Sequence, residues 1–500
     1  MKSTESSLRI KHFHGRKHCK QNEKVYAYSS KVIILQKQKA ATSLLLQKLI
    51  NIFKMADTHE IQIENAQCQI HKWNSEEVFL FLINLTCRLG FALFDIIYKH
   101  SNVILLCIIL LAVVYGLYKS YWSPLLLIRE LTHTGFDHIP YIKGRDRVLH
   151  IARSQRNRQV GEKVPPPYPN GWFALAESRD LTVGKVLPVD ALGENFCLYR
   201  GEDSVARIVD AYCPHLGANL GVEGSVKGNC IECPFHHWRF GENGACTYIP
   251  DVKNIPKGIS IKKWDCMEMD GAVWVWYDAE GRSPMWTVPP LPELSLWGYR
   301  GRNEFLISSH IRDIPENAAD AAHLNCIHQL SFMTNIGKHL PFLNNIIGHH
   351  IWETDWTKTD ESHIAQMSID QNYMILKCNA FPFDLRVKQI GPAHVRLHFN
   401  CIFGEAYVIQ SVTPVGPMLQ KVVHRIYSPT YNAIFGAILV LAEAYQFERD
   451  VVVWNNKTHV SSPPYVKADK SIRAFRDWFA QFYSEKSVSM RDAMQNPLDW

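Results

Sequence analysis

The 500-residue sequence predicts an α+β chain with an N-terminal transmembrane helix, a small all-β domain and a larger domain with a helix over an antiparallel sheet. Three observations predict it. Val103 to Tyr118 is an uncharged apolar run, Trp172 to Tyr277 alternates short β-rich runs with Gly/Pro/Asn/Asp turns, and the remainder places helical stretches around strands such as residues 395–403. The length calls for two or three folded units rather than one core. A hydrophobic content of 47% with 14 Trp is globular and excludes wholesale disorder.

Residues 1–99 read as an N-terminal extension, with 12 Lys+Arg against two acids in the first 54. They open polar and basic, without the pattern of a cleavable signal peptide. Val78 to Tyr98 is apolar but interrupted by Asn84, Arg88 and Asp95, which suits an interfacial segment or a weaker second span. Residues 100–122 are the predicted transmembrane helix, flanked by Lys99 and by Tyr121-Trp122 as interface anchors. A basic, Pro-rich linker is expected over 123–168. Its Arg129, Lys143, Arg145, Arg147, Arg153, Arg156 and Arg158 place the C-terminal part in the cytosol by the positive-inside rule. The net charge of +6 is modest for this length and gives no nucleic-acid face. The 13 cysteines are odd in number and scattered, which favours reduced thiols or metal ligands over disulfides.

In the β domain, 169–285, Cys213-Pro214-His215 and Cys233-Pro234-Phe235-His236 each offer one thiolate and one imidazole, with 17 residues between the two arms. Two thiolates on one iron and two imidazoles on another make a Rieske [2Fe-2S] centre. A single zinc ion is the rival reading, although zinc sites commonly pair Cys with Cys and His with His. Buried Cys and His without a metal are the structural alternative.

These arms resemble the Rieske iron-sulfur family. The resemblance implies that Cys213 and Cys233 bind one iron and His215 and His236 the other. Ala218 and Phe235 stand near the places where respiratory-type members carry an additional disulfide Cys, so the oxygenase type fits better.

In the last domain, 286–500, Pro315 opens a run of helix formers containing Asn317, Asp320, His323 and His328. On a regular helix His323 and His328 lie about 140 degrees apart, so a helix from 315 must bend or bulge to bring them together. Two imidazoles and one carboxylate bind Fe(II) on one face and leave positions open for dioxygen. Asn317, Asp320, His323 and His328 match the motif of Rieske non-haem oxygenases. That resemblance implies iron ligation by His323 and His328, a bridging role for Asp320 between neighbouring subunits of a homotrimer, and Asn317 as a further motif residue. For the third ligand it favours Asp450 over Glu443 and Glu448, which read as a solvated helix face.

No nicotinamide, flavin or plant-type ferredoxin pattern is present, so electrons from NAD(P)H are expected through a separate reductase, with or without a ferredoxin. The membrane helix suggests a lipid substrate, with Phe381-Pro382-Phe383, Phe399 to Phe403 and Met374-Ile375-Leu376 as pocket-lining stretches. More narrowly, the anchor, Pro169-Asn170-Gly171-Trp172 and both iron motifs resemble the Neverland-type cholesterol 7-desaturases of ecdysteroid-making animals. Residues from about 100 onward carry the match. It implies desaturation of cholesterol at C7–C8 to 7-dehydrocholesterol, at the membrane of the endoplasmic reticulum. The alternatives are a steroid or lipid hydroxylase of the same family and a Rieske electron-transfer protein without a working second iron.

Overall fold

A computed structural model describes residues 75–99, 101–139, 143–158, 163–328, 349–375 and 378–495. Most of the expected N-terminal extension therefore lies outside the described residues. The chain divides into two compact units, residues 1–106 and 107–500. In the first, Ser75–Lys99 is a helix. Arg88, Asp95 and Lys99 interrupt its apolar face, and Lys99 pairs with Asp95 at 2.7 Å. Helix Ser101–Trp122 follows, and among the described residues only its segment Ser101–Lys119 is long and apolar enough to cross a membrane.

The stretch expected as a linker has structure of its own. Strand Leu125–Arg129 pairs in parallel with Gly298–Ile307 and forms one edge of the largest sheet. Gly301 permits this approach, because a Cβ there would meet the Leu125 carbonyl oxygen at 2.1 Å. Helix Gly144–Asn157 comes next. Arg158 then donates to the carbonyls of Asn455 at 2.6 Å and Ser308 at 2.9 Å, while Asn455 and Asn456 donate back to Thr134 and Gly135. Arg158 is thus committed to the larger domain by hydrogen bonds that composition does not reveal.

Residues 171–277 form three small antiparallel sheets. One of them, with strands Cys230–Glu232 and Arg239–Phe240, carries the second Cys/His arm on its hairpin. Beneath both arms Cys197, Tyr199, Val209, Leu220, Ile231 and Phe240 form a dedicated apolar core.

The larger domain is built on an eight-stranded sheet, antiparallel except at the Leu125–Arg129 edge. Helix Ala433–Trp454 buries Leu439, Val440, Ala444, Phe447, Val451 and Trp454 in the core that the sheet shares. The spacing of these residues is that of one helix face. Two buried ion pairs join the domains. Arg425 grips Glu177 through Nε at 2.9 and 3.0 Å, and Asp270 receives Arg396 at 2.7 Å with His394 3.0 Å away.

Candidate metal centres

The two Cys/His arms are the same turn made twice. Cys213 N–H donates to the Ala218 carbonyl and Gly217 N–H to the Cys213 carbonyl, both at 2.9 Å. In the second arm Cys233 N–H donates to Trp238 at 2.8 Å and His237 N–H to Cys233 at 3.1 Å. The fourth residue after each Cys has positive φ, +75° at Gly217 and +57° at His237. Each turn buries its thiol, with Cys213 at 3% and Cys233 at 1% exposure, and carries its imidazole toward the surface. The rings of His215 and His236 are 4.7 Å apart, and Trp238 stacks on His215 at 4.2 Å.

Burial pushes the Cys213 thiol above its ordinary pKa, and Cys233 beside it adds to the rise. Two buried thiols facing one another, with two imidazoles at the rim, suit a [2Fe-2S] cluster held by thiolates on the inner iron and neutral histidines on the outer one.

The second site departs from the continuous helix expected from Pro315. The chain makes a helical turn Asp313–Glu316 and a 3₁₀ turn Asn317–Ala319, breaks at Asp320 (φ −101°, ψ 89°) and restarts as helix Ala321–Ile327. The break has a local cause. Asp320 caps the new helix, its Oδ1 accepting from the N–H groups of Ala322 at 3.0 Å and His323 at 3.1 Å. His328 sits at the C-terminal cap, off the helical register, and this resolves the angular mismatch between the two histidines.

His323, His328 and Asp450 then converge, with one donor atom of each lying within 4.8 Å of the others. His328 Nε2 is 3.0 Å from Asp450, and the two imidazole rings are nearly perpendicular with centroids 5.3 Å apart. The far nitrogens are also engaged: His323 Nδ1 meets the Asp320 carbonyl, and His328 Nδ1 lies 3.2 Å from Gln446 Oε1. The Nε2 of His323 is thereby left as a lone-pair donor, while the Nε2 of His328 faces the Asp450 carboxylate. Burial lowers the His323 pKa, while for His328 the Asp450 carboxylate and Gln446 overcome burial and raise it. Two histidines and a carboxylate on one side of an open space suit mononuclear Fe(II).

The triad opens into a cavity of about 700 Å³ under the long helix. Phe383, Phe399 and Phe403 line it, as the sequence suggested; Met374 does not. The side chains of Phe381, Pro382, Ile375 and Leu376 lie outside the described residues. Asn317 faces the cavity beside the triad.

Glu443 corrects the solvated-face reading. It lines the cavity, burial pushes its carboxyl up to about 7, and His424 Nδ1 stands 3.4 Å away. Glu448 instead pairs with Arg129 at 2.6 Å. Gln446 was missed as well, although the series Glu443, Gln446, Asp450 at spacings of three and four places all three on one helix face.

Residues 171–263 match the Rieske [2Fe-2S] domain, and residues 275–483 match the 3-ketosteroid 9alpha-hydroxylase C-terminal domain. Cholesterol 7-desaturase nvd of Bombyx mori is 54% identical over 439 residues, covering 87% of this chain and 96% of the relative. The Drosophila melanogaster protein of the same name is 37% identical over 408 residues, covering 79% and 94%. That of Xenopus laevis is 40% identical over 389 residues, covering 75% and 84%. A cluster-binding β domain followed by a two-histidine, one-carboxylate domain, matched by relatives along most of their length, places this chain in the Rieske oxygenases, where it belongs to the cholesterol 7-desaturase family.

Proposed function

We propose that this chain is a membrane-anchored desaturase that takes one hydrogen from each of carbons 7 and 8 of cholesterol, giving 7-dehydrocholesterol for ecdysteroid synthesis. The observation that carries this reading is the His323–His328–Asp450 triad at the wall of an apolar cavity, in a chain whose relatives bear the name of that activity. Reducing one dioxygen to two waters consumes the two sterol hydrogens together with two further electrons and two protons. NAD(P)H supplies those electrons through a separate reductase, with or without a ferredoxin.

Cys213 and Cys233 hold one iron of the cluster and His215 and His236 the other, within a Rieske domain over 169–285. His323, His328 and Asp450 hold the catalytic iron of the domain over 286–500. When bound, the cluster supplies electrons singly and the mononuclear iron activates dioxygen. The chain's own residues position and exclude. Asp320 and Gln446 orient the two imidazoles, and the aromatic walls at Phe383, Phe399 and Phe447 keep water from the reacting carbons.

Asp320 bridges the cluster of a neighbouring subunit to His323 in a homotrimer. Only Oδ1 of its carboxylate is used in capping, and the cluster imidazoles lie toward the surface, where a neighbour can reach them. Asn317 lines the cavity beside the triad. The apolar helix Ser101–Lys119 spans the endoplasmic reticulum membrane once, with the catalytic part in the cytosol.

The test is sterol analysis by mass spectrometry in sterol-naive cells that express the chain and a reductase and are fed cholesterol. Formation of 7-dehydrocholesterol, absent with His323→Ala, is the expected result. An oxygenated sterol instead would replace desaturation by hydroxylation. No product, with the cluster's spectrum intact, would favour an electron carrier.

A further inference from the structure

The cavity is apolar over most of its wall, yet at one place on the long helix and the facing sheet it presents polar atoms that the iron site does not use. Gln410 and Glu443 line it, on strand Gly404–Gly416 and helix Ala433–Trp454, and His424 lies behind them on strand Leu419–Ser428. His424 is fully buried, and its Nε2 is 3.0 Å from Gln410 Oε1. An amide oxygen only accepts, so Nε2 carries the proton and Nδ1 is a bare lone pair. Glu443 Oε1 stands 3.4 Å from that Nδ1, yet Nδ1 has no hydrogen bond from any described residue.

A buried acceptor facing a carboxyl oxygen is satisfied when the carboxyl carries a proton and donates it. Burial favours that state on both partners, raising Glu443 to about 7 and lowering His424 to about 3. Two groups then remain without a hydrogen-bonding partner among the described residues, the second oxygen of Glu443 as an acceptor and the Nε2 of Gln410 as a donor. An alcohol needs one acceptor and one donor.

We infer that Glu443, Gln410 and His424 form a subsite that reads the 3-hydroxyl of a sterol. The inference rests on the proposed sterol activity and adds how the substrate is oriented. Glu443 precedes Asp450 by seven residues, two helical turns or about 10 Å along the axis. The 3-hydroxyl lies on the first ring of a sterol and carbon 7 on the second. Holding the hydroxyl at Glu443 therefore directs the second ring toward the triad.

The test is competition of radiolabelled cholesterol by 5-cholestene, which lacks the 3-hydroxyl, on the detergent-solubilised full-length chain. Losing one buried hydrogen-bonding partner predicts that the wild type prefers cholesterol roughly tenfold or more. Glu443→Gln, which mimics the protonated carboxyl, keeps that preference. Glu443→Leu brings the two affinities within about twofold. Where Glu443→Leu binds neither sterol, Gln410→Leu replaces it, with the same reduced preference expected.

Equal binding of both sterols by the wild type would overturn the subsite, as would a Glu443→Gln chain as impaired as Glu443→Leu. A wild type that makes 7-dehydrocholesterol but binds both sterols equally sinks the subsite alone. One that prefers cholesterol and makes no 7-dehydrocholesterol supports the subsite and removes the desaturase reading.

Discussion

Asp320 holds His323 from two directions: a carboxylate oxygen accepts the His323 main-chain N–H at 3.1 Å, and the Asp320 carbonyl meets the Nδ1 of the ring. The first contact starts the helix and the second fixes the tautomer. The residue that starts this helix thus also orients the imidazole that follows it.

Asp320→Asn retains an N-capping side chain and is expected to leave iron content and the cluster spectrum unchanged while slowing turnover. Asp320→Ala adds the loss of the cap, about 1 kcal/mol. Iron assay with single-turnover kinetics separates the effects. Loss of iron in Asp320→Asn would assign the residue to metal retention instead.

His323→Ala is expected to lower iron from about three to about two per chain, keep the Rieske electron paramagnetic resonance signal and abolish product. Product formation by this variant would break the assignment of the mononuclear site.

Cys213→Ala and His236→Ala act on the other centre. Both are expected to remove the Rieske signal and turnover while sterol binding persists, because the cavity is lined from the other domain. Retention of an unchanged signal in either variant would contradict the ligand set.

Glu177→Ala leaves the Arg425 guanidinium buried without its carboxylate. The expected cost is about 3–5 kcal/mol, seen as a lowered Tm in a thermal scan of the full chain. An unchanged Tm would mean that the pair between the domains adds nothing to their union.

Burial lowers His310 to about 4 and His424 to about 3, both from an ordinary 6.5. Between the folded and unfolded values the unfolded chain binds more protons, so acid favours unfolding. These two residues therefore contribute stability above about pH 6.5 that is lost as the pH falls toward 4. Tm measured from pH 7 to pH 4 is expected to fall, and less steeply in His424→Gln.

The sequence carried the candidate metal residues further than the geometry that presents them. Cys213, His215, Cys233 and His236 were legible because their chemistry is unusual at that spacing. The break at Asp320 was not, since the same residues read as helix formers until the carboxylate bonds its own following N–H groups. Glu443 was hidden for a different reason. An acid on a long helix reads as solvated, and only the fold brings His424 and Gln410 from two strands to face it. Leu125–Arg129 looked like part of a linker because its partner, Gly298–Ile307, lies far along the chain, and the residue that permits the pairing is a glycine.

Only Ser123 and Pro124 separate the apolar helix ending at Trp122 from the sheet-edge strand that begins at Leu125. With that helix in a bilayer, so short a leash holds the sheet edge within about 10 Å of the lipid surface. The enzyme would then forage in two dimensions, and its encounter rate would follow the cholesterol content of the host membrane rather than the trace dissolved in water.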